Sequence, residues 1–148
     1  MNPVILTEYS AEQLFILFEA AAFTPLCSDA IVFRAMGGTF AGPSIDIVFL
    51  GLKYFELPNQ LRGIRVFKPG DEEARQFGKA FAPENECDVR DHVYAVESNG
   101  KRFHVIAATF WVFVYLSLQR TSALGPLNDL TTRDQFIERN VKEWYKIE

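Results

Sequence analysis

The chain has little of what most catalytic and metal chemistry needs: two histidines and two cysteines in 148 residues. Cys27 and Cys87 stand far apart, with no Cys-x-x-Cys or Cys/His ligand spacing around either. A disulfide framework and a zinc knuckle are therefore not expected, and the thiols read as reduced. There is no Gly-x-Ser-x-Gly, no His-Glu-x-x-His and no dinucleotide fingerprint. Gly37, Gly38 and Gly42 are not followed by a Lys-Ser/Thr pair, so they read as hairpin turns rather than a phosphate loop. Internal repeats and low-complexity stretches are also missing. The apolar run Val105 to Leu118 includes Thr109, Tyr115 and Ser117, and it falls short of the roughly 20 residues that a helical membrane span needs. Met1 is followed by Asn2, Pro3 and no charge until Glu8, without the basic start of a signal peptide. These absences predict a soluble, cytoplasmic protein with no metal, no cofactor and no membrane partner.

What the chain has is apolar and aromatic mass. Hydrophobic residues make up 49% and aromatics 14%, with fourteen Phe. That suffices for one well-cored domain over residues 1–148 and rules out disorder as the main content. The net charge is −4, and residues 71–91 alone hold seven acidic side chains against three basic ones. The rest of the chain is balanced, the nearest thing to a basic stripe being Lys53, Arg62, Arg65 and Lys68 against Glu56. Nucleic acid is an unsuitable partner for such a layout. The acidic stretch is either a solvated face or a docking patch, with Glu84, Glu86, Asp88 and Asp91 as its rim for a basic protein.

Local patterns give an order of elements. Ser10-Ala-Glu-Gln13 has capping-box form, and Leu14, Leu17, Phe18, Ala21 and Ala22 follow at helical spacing, predicting a helix over 11–23. Ala30 to Met36, Ser44 to Leu52 (extended by Tyr54 to Leu57 after a bulge at Gly51) and Gly63 to Lys68 read as strands. Asp71 caps a middle helix with Glu72 and Glu73 in its first turn, followed by an acidic loop over 82–91. Asn99-Gly100 is the preferred type I′ turn, and it sets Glu97 opposite Arg102 and Ala95 opposite His104. The second strand of that hairpin reads on to about Leu118. After a loop at Gly125-Pro126, Thr132 to Gln135 starts a last helix with Phe136, Ile137, Val141, Trp144 and Tyr145 as its stripe.

That register also tests the chemistry. His92 and His104 fall on opposite sheet faces and cannot share a metal through the hairpin. Cys87, Asp88, Asp91 and His92 hold the residue types of a zinc or thiolate–imidazole site, but no second Cys or His completes the set. Asp46, between Ile45 and Ile47, reads as the solvent side of a half-buried strand. No catalytic group is assigned. Tyr94, Phe103, Trp111 and Phe113 read as one aromatic strand face, which would be an apolar surface or a ligand pocket if left uncovered.

The expected fold is therefore α+β: an antiparallel sheet of about five strands with N-terminal, middle and C-terminal helices packed on it. This order and the acidic charge resemble the class I type III secretion chaperones, and the resemblance implies a small, acidic homodimer that binds another protein. An immunity protein masking a basic active site would have a similar composition. The functional expectation is a non-enzymatic protein-binding module that uses an apolar sheet face and the acidic patch. The alternatives are a binder of a small apolar ligand between sheet and helices, and an enzyme of unrecognised type.

Overall fold

Residues 1–22, 30–36, 44–81, 92–116 and 130–148 are described by a computed structural model of the chain. Ten strands run through them: β1 (Val4–Leu6), β2 (Glu8–Ala22), β3 (Ala30–Met36), β4 (Ile45–Leu50), β5 (Tyr54–Phe55), β6 (Gln60–Phe67), β7 (His92–Ser98), β8 (Lys101–Ala107), β9 (Thr109–Tyr115) and β10 (Val141–Ile147). Two short helices accompany them, α1 (Asp71–Phe81) and α2 (Leu130–Asn140). The ladder order is β1-β10-β9-β4-β3-β2-β6-β7-β8-β5. Only the β1–β10 pair among these is parallel.

Ring contacts show that this ladder is not flat. Phe49 on β4 and Tyr94 on β7 are four ladder steps apart, about 19 Å at the usual strand spacing. Their ring centroids are 5.8 Å apart. Tyr9 on β2 likewise meets Tyr145 on β10 at 6.2 Å, and Tyr94 meets Phe110 on β9 at 6.1 Å. The ladder therefore folds over into two five-stranded leaves, β1-β10-β9-β4-β3 and β2-β6-β7-β8-β5. The main core lies between them, with Ile16, Phe33, Ile47, Phe49, Val66, Tyr94, Val105 and Phe110 all enclosed.

Strands that pass from one leaf to the other make the corners. β4 pairs with β9 and β5 with β8, so two chain runs turn the same corner together. The Ala108 N–H donates to Leu50 O (2.9 Å) and the Lys53 N–H to Ile106 O (2.8 Å), holding the runs in step. Gly51, with φ +68°, makes the turn in one run and Ala108 interrupts the other. At a second corner, Ala11 pairs with Ile64 and Phe15 with Arg62, so three residues of β2 stand against Gly63. Gly63 has φ +65°, and a Cβ there would meet Glu12 O at 2.6 Å.

The fold is thus mainly β, not the expected α+β fold with three helices on a five-stranded sheet. The N-terminal helix is the largest correction. Residues 8–22 form β2, paired with β6 on one side and β3 on the other. A nearly continuous apolar run satisfies a helical stripe and a doubly covered strand equally well, and two neighbouring strands settle the choice. The C-terminal helix divides. Its first half is α2, ending where the Asn140 side-chain amide donates to Phe136 O at 2.9 Å. Its second half is β10, which sends Trp144 to the outer cluster and Tyr145 toward the inner core. With these changes the element order behind the likeness to secretion chaperones no longer holds.

The middle helix stands as α1, β3 has its expected bounds, and the β7–β8 hairpin has the expected register throughout. Asn99 (φ 50°) and Gly100 (φ 71°) supply its positive-φ turn. The Gly37-Gly38 turn, the acidic loop, the Gly125-Pro126 loop, Cys27 and Cys87 lie outside the described residues. No helix among the described residues is long and apolar enough to cross a membrane.

Candidate functional site

The β7–β8 turn borders a groove of about 370 Å³ at the β2–β6 corner. It exists because β6 pairs with β7 only from Arg65 to Phe67 and then diverges toward Gly63. Where the ladder stops, Ser98 replaces it. Its hydroxyl accepts from the Arg62 N–H (3.1 Å) and donates to the Arg62 carbonyl (3.2 Å). Gly63, Asn99, Gly100, Arg62, Arg65, Lys101 and Arg102 line it, with Glu12 and Glu97 as the acidic members.

A charge ladder crosses the leaf beside this groove. Arg65 donates to Glu8 on β2 (2.8 Å) and to Glu97 on β7 (3.1 Å). Arg102 on β8 reaches Glu97 at 3.5 Å and Glu73 of α1 at 2.8 Å. The bond to Glu8, then that to Glu97, pushes the Arg65 guanidinium above its ordinary value. In return, the Arg65 bond holds the Glu8 carboxyl below the usual range. Both guanidiniums lie over the Phe67 ring, 4.6 Å and 5.1 Å from its centroid. Stacking on one ring fixes the two side by side.

On the same leaf, α1 is pinned by His104. One Glu56 carboxylate oxygen accepts from the His104 backbone N–H (2.8 Å) and faces Nδ1 (3.1 Å), while Glu73 faces Nε2 at 2.7 Å. Phe77 of α1 stacks on the imidazole at 4.3 Å and meets Tyr54 edge-on. The His104 side chain is only 17% exposed in this clamp. The two carboxylates lie against different ring nitrogens, so they do not converge on one point. Among the described residues no group of three or more His, Cys, Asp or Glu could hold a metal ion.

On the other leaf, Asp46 overturns its expected exposure. It is fully buried on the outer face of β4, beneath the cluster of α2. Arg34, its cross-strand partner, donates from Nε (2.8 Å) and Nη2 (3.1 Å), and Tyr115 donates its hydroxyl at 2.7 Å. The signal for this was an acid and a base inside two apolar strands joined by a glycine-rich connection. What the sequence did not show was that α2 covers that face.

The aromatic quartet does not form one surface. Tyr94 and Phe103 belong to the core between the leaves, while Trp111 and Phe113 belong to the outer cluster with Ile137, Val141 and Trp144. Ala108 causes the split, because one residue outside the alternation sends every later side chain to the other face. Burial pushes the Tyr94 phenol up, with the Phe110 backbone N–H pulling slightly the other way. Glu84, Glu86, Asp88 and Asp91 lie outside the described residues. The groove was legible only in part: Arg62 and Arg65 stood out as a basic excess, but their meeting with the hairpin turn depends on β6–β7 pairing. Compared with known proteins, the chain matches no family model, no curated protein and no solved structure.

Proposed function

We propose that the chain is a non-enzymatic protein-binding module. The observation that carries this reading is the open edge at β1. Among the described residues this strand ends the ladder, with β10 as its one neighbour. Val4 is 53% exposed and Ile5 51%, and no charged side chain occurs between Asn2 and Thr7. Sheet edges are commonly blunted by short length, proline, charges, bulges or a covering element; β1 is three residues long and follows Pro3, but it carries no charge and its exposed apolar side chains favour addition of another strand. Strand addition supplies affinity through main-chain hydrogen bonds and specificity through alternate side chains.

The rival reading, an apolar ligand between the leaves, has less in its favour. Tyr9, Phe49, Tyr94 and Phe110 pack on one another across that space, with centroids 5.0 to 6.2 Å apart. The acidic segment 71–91 keeps its place in the proposal as a steering surface for a basic partner, through Glu84, Glu86, Asp88 and Asp91. Capture with the chain as bait, followed by reconstitution from purified components, tests the reading. A saturable complex that slows amide exchange in β1 is the expected result. Failure of every purified candidate to bind saturably would contradict it.

A further inference from the structure

We infer that α1 is fastened to its leaf by a pH-operated clamp, closed when the His104 ring carries two protons and loosened when it carries one. This device does not depend on the protein-binding reading. A neutral imidazole offers one N–H donor and one acceptor nitrogen, whereas the imidazolium offers two donors. Both ring nitrogens of His104 face carboxylate oxygens, Nδ1 that of Glu56 at 3.1 Å and Nε2 that of Glu73 at 2.7 Å. An ionised carboxylate only accepts, so the imidazolium alone can donate to both. With one proton gone, a nitrogen lone pair stands against a carboxylate, on a side chain that is only 17% exposed.

Neither carboxylate can simply turn away. Glu56 Oε1 also accepts from the His104 backbone N–H at 2.8 Å, and its Oε2 accepts from the Tyr54 hydroxyl at 3.3 Å. Glu73 Oε2 is held by Arg102 at 2.8 Å. The mismatch is therefore relieved by movement of α1, which brings both Glu73 and Phe77 to the ring. Phe77 stacks on the imidazole at 4.3 Å, a contact that a cation strengthens. Four charged groups surround His104 among the described residues. Glu56 follows β5, Glu73 lies on α1, Arg102 is two residues away on β8, and Glu97 lies diagonally across on β7. Glu97 is engaged by Arg65 and Arg102, and β7 sets Ala95 directly opposite the histidine. The charge of Arg102 opposes a second cation, but the two carboxylates in contact with the ring outweigh it. The docked helix thus holds a proton that the released helix gives up. Docking is complete at acidic pH and weakens as pH rises through the histidine range, near ~6.5 for an unperturbed ring.

The experiment is amide hydrogen exchange of the full chain between about pH 5.5 and about pH 7.5, a span that brackets that range. Exchange is read as protection relative to the free-peptide rate at each pH. Protection over α1 is expected to fall about tenfold or more across the span, while β7 and β8 keep theirs. Glu73→Gln offers the neutral ring an N–H donor where a lone pair stood, so α1 should stay protected at the upper pH. His104→Gln should also remove the pH dependence. His92→Gln should leave it, since His92 pairs with Ala107 on the opposite sheet face. Protection of α1 that does not change with pH, or that falls equally in Glu73→Gln, would overturn the inference. So would an equal fall over β7 and β8, or a pH dependence that survives in His104→Gln.

Discussion

Gly51 and Ala108 interlock where the two leaves meet: a Cβ on Gly51 would stand 2.5 Å from the Ala108 Cβ. Gly51 also has φ +68°, where other side chains are strained. Gly51→Ala is therefore expected to lower stability by about 1–3 kcal/mol or more. Gly78→Ala is the contrasting control, since that helical glycine has open space where a Cβ would go. It should raise stability by about 0.5–1 kcal/mol. Urea midpoints of the two variants, measured at equal m-value, check both signs.

The buried Arg34–Asp46 pair should tolerate the loss of one partner badly. Asp46→Asn removes the buried carboxylate to which the Arg34 guanidinium donates twice, and breaking one side of a buried pair costs about 3–5 kcal/mol in comparable cases. Tyr115→Phe removes one hydrogen bond to a charged acceptor and should cost less, about 1.5–3 kcal/mol. Denaturant unfolding of both variants and of the double mutant would measure the coupling. Additive effects would show that the three groups do not act as a unit.

Alkaline pH should loosen the inter-leaf core. Burial, and then the neighbouring Tyr145, pushes the Tyr9 phenol from its ordinary value of 10.0 up to about 12. Between those values the unfolded chain has released a proton that the folded chain still holds, so stability falls as pH rises. The contribution is complete below pH 10 and is lost as pH climbs toward 12, by about 1.4 kcal/mol per pH unit. Tyr9→Phe should flatten that part of the pH–stability curve, with tyrosinate absorbance reporting the ionisation.

How much was legible in the sequence follows the range of the interactions. The Asn99-Gly100 hairpin, α1 and β3 rest on neighbours in the chain, and they appear as expected. β2 was unreadable because its strand character comes from β3 and β6, neither of which its own residues announce. The single residue Ala108 was enough to send Trp111 and Phe113 away from Phe103, since alternation carries no record of where it breaks. The groove shows the same limit: Arg62 and Arg65 were visible as charges, but only the divergence of β6 from β7 brings them to Lys101. The Asp46 site depended on α2 lying over the strand, a contact between residues far apart in sequence.

The central claim is that β1 receives another protein, and Ile5→Lys tests it most directly. The substitution places a charge on the open edge at a half-exposed position, where it leaves the cores untouched. Calorimetric titration against a purified partner should show affinity reduced about tenfold or more, with the melting temperature of the chain unchanged. Equal affinity of Ile5→Lys and the unaltered chain for that partner would contradict the account.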